Sequence, residues 1–293
     1  MNSRRRVLLS VVLCASLVLV ASFGAGEALS RPASSVIGDP PPDLHAVPVL
    51  FGRVGRESVS GWLIRGTPHH GAVLLLHGVR SDRRAMLERA RLLGRSGYSV
   101  LLIDLPAHGE STGTRITFGL REGAGVRAAL DFLRHELPGE PIGVIGVSLG
   151  AASMVLSKAT PPPNAVVLES MYPTIEEAVT DRLTRRLGAA GRAVAPLLLW
   201  QLPLRLGITA DDLRPVVDIS SLHAPVLVMS GTLDQHTTLA ESRHIFEAAA
   251  EPKEFWAVEG AAHVDLLTHA PQAYASRVLP FLANHLHRDT DPR

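Results

Sequence analysis

The chain has 293 residues, a formal net charge of +1, 46% hydrophobic and 19% charged residues, and a single cysteine. That length and composition suit one large α/β domain, or two small ones, with ample core and exclude a disordered chain. No run of like charge is long enough for a nucleic-acid surface, and no second cysteine is available for a disulfide or a cysteine-based zinc site.

At the N-terminus, Arg4-Arg5-Arg6 precede an apolar run from Val7 to Phe23, followed by the small residues Gly24, Ala25, Gly26 and Ala28. Residues 1–28 therefore read either as a signal peptide, cleaved after Ala25 or Ala28, or as an uncleaved membrane anchor. The arginines stay cytoplasmic by the positive-inside rule, so in both cases the body is exported, to periplasm or outside, or tethered on the far side of the membrane. Cys14 lies inside this run behind Leu13, where a lipoprotein signal would need a small residue. Residues 29–48 carry Pro32, Pro40, Pro41, Pro42 and Pro48 without helical or strand periodicity, and read as a linker.

The body, 49–287, alternates short β-rich runs with helical patterns. The predicted strands are Ser58–Ile64, Ala72–Leu76, Ser99–Ile103, Ile142–Val147, Ala165–Leu168, Pro225–Met229 and Glu254–Val258. Several are continuous Val/Leu/Ile, as parallel strands buried on both faces require. Predicted helices are Arg84–Arg95, Gly119–Leu137, Ser148–Ala159, Leu239–Ala249 and Pro271–His287. In the second, Val126, Leu130, Leu133 and Leu137 form one stripe. The alternation implies a parallel sheet with helices on both faces. Residues 171–222 are too long for a crossover and contain the apolar stretch Ala193–Leu206, so they read as a helical cap.

Gly146-Val147-Ser148-Leu149-Gly150 lies where a predicted strand meets a predicted helix. Such a turn lifts a serine above the sheet, and Gly146 and Gly150 are needed where strand and helix approach closely. A serine hydroxyl needs a base. His263 follows the last predicted strand, in Gly260-Ala261-Ala262-His263, and is the candidate base. The base in turn needs a carboxylate. Asp234 follows the strand Pro225–Met229 and is preferred. Glu169, after the preceding strand, is its rival, and Asp265 is too close in sequence to His263 to meet its ring well. The backbone N–H groups of Leu149 and of Val79, in His77-Gly78-Val79, are candidates for an oxyanion hole. His77 reads as a packing residue, and Gly123-x-Gly125-x-x-Ala128 follows no strand and so is not a dinucleotide motif. His69-His70 and His285-x-His287 are isolated pairs with no further ligands, and no metal or other cofactor is expected.

His77-Gly78, Asp104-Leu105-Pro106-Ala107-His108-Gly109-Glu110-Ser111, Gly146–Gly150, Gly231–Asp234 and Gly260–His263 together resemble the α/β-hydrolase superfamily, in particular its bacterial serine aminopeptidase S33 or hydrolase-4 branch. The resemblance covers nearly all of residues 50–287. It implies a mostly parallel eight-stranded sheet flanked by helices with a helical cap, and a hydrolase with the triad Ser148, Asp234 and His263. His108 departs from the small residue common at its place and is read as scaffold. The apolar cap points to a hydrophobic small-molecule acyl ester, lipid-like or other, with a peptidase or amidase, or a non-catalytic tethered binding protein, as alternatives. The expected partners are that substrate and, if the leader is uncleaved, a membrane.

Overall fold

The computed structural model describes residues 3–54 and 57–287. Eight strands form the main sheet: β1 (Val47–Val54), β2 (Glu57–Ile64), β3 (Ala72–Leu76), β4 (Ser99–Ile103), β5 (Ile142–Val147), β6 (Ala165–Glu169), β7 (Val226–Gly231) and β8 (Lys253–Val258). Their order is β8-β7-β6-β5-β3-β4-β2-β1. Six strands, β3 to β8, run parallel, while β2 is antiparallel to both β4 and β1.

The helices are α1 (Ser3–Ser30), α2 (Leu87–Arg95), α3 (Leu120–Glu136), α4 (Leu149–Leu156), α5 (Ile175–Leu187), α6 (Ala189–Leu199), α7 (Leu202–Leu206), α8 (Pro215–Asp218), α9 (Leu239–Ala248), α10 (Leu266–His269) and α11 (Pro271–Leu286). Side chains alternate along a strand, so β3 sends Leu74 and Leu76 to one face and Val73 and Leu75 to the other. The first face is covered by Val126, Leu130 and Leu133 of α3, Met154 of α4 and Ile245 of α9. The second is covered by Leu93 of α2 and by Tyr274, Val278, Phe281 and Leu282 of α11. Burial on both faces explains the unbroken Val-Leu-Leu-Leu of β3, each side chain contributing about 1.5–3 kcal/mol.

The chain reverses direction across the sheet at β3, which lies between β5 and β4. In open α/β sheets the loops at the C-terminal strand ends near such a reversal form the crevice for ligands. The turns after β3, β5, β7 and β8 all emerge at that end.

Strand β1 has no counterpart among the runs read from sequence. Pro48 and Gly52 disguise it, and both are tolerated because β1 is an edge strand. Residues 29–48, expected as a linker, are instead fastened to the body. Ala33 N–H donates to Ala107 O at 2.8 Å and Ser35 N–H to Gly109 O at 2.9 Å. Ile37 and Gly38 N–H both donate to the Glu110 carboxylate. The prolines break periodicity but leave enough backbone donors to dock the segment in extended form.

Residues 171–222 fold mainly into α5–α8. Gly191 lets α5 and α6 touch, since a Cβ there would lie 2.3 Å from Leu183 C. Helix α4 packs as tightly against β3: a Cβ on Gly150 would lie 2.4 Å from Leu76 O. Neither backbone can yield cheaply, so Gly150→Ala is expected to cost about 2–3 kcal/mol and lower Tm by roughly 5–10 °C. A thermal melt matching wild type would refute this close approach.

Candidate active site

Ser148 joins β5 to α4 with φ 51° and ψ −108°. This is a costly conformation for a residue with a Cβ, of the kind that concentrates at functional sites. Two backbone hydrogen bonds hold it: Ser148 N–H donates to Glu169 O at 2.8 Å, and Ala152 N–H donates to Ser148 O at 3.0 Å. Gly146 permits the turn, because a Cβ there would lie 2.6 Å from Ala151 N. Ser148 is buried at the start of α4, whose first N–H groups and dipole favour negative charge beside it.

His263 lies in the loop after β8, and its Nδ1 is 2.8 Å from Asp234 Oδ2. Asp234 is buried beyond β7 and saturated with donors. Its Oδ1 accepts from His236 N–H at 2.8 Å and Thr237 N–H at 3.0 Å, and its Oδ2 accepts from Thr237 Oγ1 at 2.8 Å. Burial works to raise the Asp234 pKa, but the hydrogen bond from His263, the charge of that ring and the two backbone donors outweigh it. The carboxyl is held below its ordinary range. With Asp234 ionised, the proton shared with His263 stays on Nδ1, leaving Nε2 as the basic nitrogen.

The rival carboxylates are engaged elsewhere. Glu169 accepts from Arg89 Nε at 3.0 Å, Arg89 Nη2 at 2.6 Å and Tyr274 Oη at 2.6 Å. Asp265 is also paired with Arg89. This buried arginine holds both Glu169, the rival to Asp234 in the sequence, and Asp265, which the sequence had already set aside.

Ser148 and His263 line one cleft of about 410 Å³, together with Gly78, Val79, Ser170, Arg182 and His236. Ser148, Val79, Leu149 and Arg182 also line a second, strongly apolar cavity of about 140 Å³. Its remaining wall includes Tyr172, Ile175, Leu198, Leu199 and Leu202 of the 171–222 segment. The nucleophile candidate thus stands between a cleft of mixed lining, which holds His263, Arg182 and Ser170, and a more strongly apolar hole. Gly78 is beside it, where a Cβ would lie 3.9 Å from Ser148 Cβ.

The other two motif histidines have structural roles. His77 is fully buried, with Nδ1 donating to Gly78 O at 2.8 Å and Nε2 accepting from Leu105 N–H at 3.0 Å. Burial first, and then the neighbouring His108, push its pKa down to about 3, so it remains neutral. Its role is to tie the loop after β3 to the loop after β4. His108 packs edge-on to His77 at 5.2 Å and donates from Nδ1 to Pro106 O. Asp104, of the same motif, is buried against Arg83, which also lies 4.5 Å above the Trp62 ring.

Several residues of the site gave no sequence signal. Thr237 orients Asp234, Ser170 faces the cleft with φ 47°, and Arg182 touches both cavities. His236 lies 5.1 Å from the His263 ring, edge to face, and its Nε2 meets Arg185 at 2.8 Å. Among the described residues, no group of three or more His, Cys, Asp or Glu side chains is arranged to hold a metal ion.

The sequence profile of the alpha/beta hydrolase family matches residues 73–277. Over 196 residues the chain is 35% identical to the uncharacterized protein Rv2307c of Mycobacterium tuberculosis, covering 66% of this chain and 63% of that protein. It is 23% identical over 236 residues to the uncharacterized protein YqkD of Bacillus subtilis, covering 78% and 77% of the two chains. Among solved structures, an esterase of Pyrococcus furiosus superposes with a TM-score of 0.73 at 24% identity, covering 88% of this chain and 98% of that one. An esterase from a Rhodococcus species gives 0.60 at 18% identity, covering 81% and 99%. Identities this low show a shared fold.

Proposed function

Since the chain belongs to the alpha/beta hydrolase family, we propose that it is a serine hydrolase that cleaves carboxylic esters of hydrophobic acyl groups. One observation carries the reading: Ser148, in a strained turn, stands between an apolar cavity and the cleft that also holds the Asp234-bound His263.

In the proposed reaction Ser148 Oγ attacks the acyl carbonyl as His263 Nε2 takes its proton. Asp234 fixes the ring and stabilises its charged form. The N–H groups of Leu149 and Val79 receive the oxyanion of the tetrahedral intermediate. That intermediate collapses as His263 protonates the leaving alkoxide. Water, deprotonated by the same ring, then attacks the acyl-enzyme and releases the acid. These steps draw on the chain's own side chains, its backbone N–H groups and water. Motif likeness to the serine aminopeptidase S33 branch points toward amide bonds, but an apolar cavity beside the nucleophile suits an acyl chain better than a charged peptide end.

One described helix, Arg4–Ser30, is long and apolar enough to cross a membrane. With Arg4, Arg5 and Arg6 at its start, the proposed location of the catalytic body is outside the cytoplasm, exported or anchored.

The test is labelling of the purified full chain in detergent with a fluorophosphonate probe, beside Ser148→Ala, followed by hydrolysis of an ester series of increasing acyl length. Labelling should vanish in the variant, with turnover falling by roughly 10⁴-fold or more. A folded wild-type chain that neither labels nor turns over any ester would sink the hydrolase reading and favour a binding role for the same scaffold.

A further inference from the structure

The last turns of α1 are built into the body. Gln201 Nε2 donates to Ser22 Oγ at 2.9 Å. Arg205 Nη1 donates to Phe23 O at 3.0 Å, and its guanidinium lies 4.7 Å above the Phe23 ring. Glu27 is paired with both Arg115, at 2.6 Å, and Arg205. At the end of the helix, Ser30 O accepts from Ile116 N–H at 2.9 Å. These contacts bring Gly26, Leu29 and Ser30 into the wall of the apolar cavity that holds Ser148. Gly26 allows the approach, since a Cβ there would lie 2.7 Å from Gln201 Oε1.

The preceding turns have the opposite character. Val7, Leu9, Val11, Val12, Leu13, Leu17 and Val20 are all exposed. From Arg4 to Ala21 the helix rises about 27 Å, at about 1.5 Å per residue, close to the roughly 30 Å hydrocarbon core of a bilayer. The first grip on the body, at Ser22, therefore comes where the helix would leave the membrane. Gly26 and the cavity wall follow only about one turn later, roughly 6 Å further. Trp200 and Leu204, each next in sequence to a residue that grips α1, are 65% and 69% exposed. An exposed tryptophan at this level suits the bilayer interface.

We propose that α1 is retained in the working protein, that Gly26–Ser30 forms the specificity-determining wall of the acyl pocket, and that the pocket draws its acyl chain from the bilayer holding α1. The proposal rests on the esterase reading and adds its substrate class, a membrane-resident ester with a long acyl chain. Cleavage after Ala25 would discard the Ser22 and Phe23 contacts. Cleavage after Ala28 would also remove Gly26 and Glu27, opening the pocket and leaving Arg205 without its carboxylate.

Three measurements on the full chain test it. The first is the N-terminus of protein recovered from cell membranes, which should lie before Ser22; a chain beginning at Gly26 or Leu29 overturns the proposal. The second is fluorescence in vesicles of brominated phosphatidylcholine. Quenching is expected, and most of it should be lost in Trp200→Phe; no quenching overturns the membrane-level placement. The third is the ratio of kcat/KM for dodecanoyl and acetyl esters. Leu29→Trp should lower this ratio by about tenfold or more, mainly through KM for the long chain. Should that variant misfold, Leu29→Ala serves instead and should also change the ratio, by relaxing the preference among long and branched chains. Ratios unchanged from wild type overturn the role of α1 while the Ser148-dependent esterase stands. Failure of wild type to cleave either ester overturns both.

Discussion

Asp234→Asn is expected to lower kcat by about 10⁴-fold while leaving the fold intact. The carboxylate has two distinct sides. Oδ1 faces the N–H groups of His236 and Thr237, and Oδ2 faces His263 Nδ1 and Thr237 Oγ1. An asparagine keeps its carbonyl oxygen toward the two backbone donors, which places its amide NH2 against His263 Nδ1. The ring must then accept at Nδ1 and carry its proton on Nε2, the nitrogen assigned to take the proton from Ser148. Steady-state hydrolysis of an acetyl ester by the purified full chain measures the effect, and a loss of less than about tenfold would remove Asp234 from the proposed triad. Stability gives an independent readout. Because the folded-state pKa of Asp234 is depressed, its ionisation stabilises the fold above the unfolded value of about 3.9. That contribution is lost as pH falls through the folded pKa. The Tm difference between wild type and Asp234→Asn should therefore hold steady from neutral pH to about 4 and close below it.

The second large effect belongs to Arg89, which the reaction does not use. Its side chain is 1% exposed and ties Glu169 of β6 and Asp265 to α2, with Tyr274 of α11 completing the group. Arg89→Met leaves the fully buried Glu169 with one donor, the Tyr274 hydroxyl. Removing one partner of a buried ion pair costs about 3–5 kcal/mol, so Tm should fall by about 10 °C or more. Adding Glu169→Gln to Arg89→Met should recover a large part of the loss, because the uncompensated charge is gone. Thermal melts of the two variants decide the matter. A single-variant cost below about 1 kcal/mol would mean that Glu169 relaxes or protonates at little cost. Ester turnover should also fall in Arg89→Met, because Glu169 O accepts from Ser148 N–H and Asp265 lies two residues from His263.

The strands legible in the sequence are those whose periodicity reports burial directly. Ala72–Leu76, Ser99–Ile103 and Ile142–Val147 have the same limits in both readings, because continuous apolar runs end where the chain leaves the sheet. The edge strand Val47–Val54 escaped notice because one side of it needs no partner, so proline and glycine are allowed there. The 171–222 segment stood out as too long and too apolar for a crossover, but its helix limits did not. The apolar stretch Ala193–Leu206 falls across α6 and α7, broken by the turn at Trp200–Gln201, and Gly188 separates α6 from α5.

What the sequence determined by itself is local. The Gly-x-Ser-x-Gly turn, the placement of His263 and Asp234 just past strand ends, and the parallel sheet all follow from short-range patterns, because backbone sterics and side-chain alternation act between near neighbours. The tertiary structure decided what depends on groups far apart in the chain. Glu169 and Asp234 look alike in sequence, each just past or at the end of a strand, and only an arginine 80 residues from Glu169 takes it out of contention. The grip of Gln201 on Ser22, across 179 residues, is likewise invisible to any periodicity. A leader-like apolar run has the same hydropathy whether its end is free or docked, and only packing distinguishes the two by burying the few polar groups that meet the body.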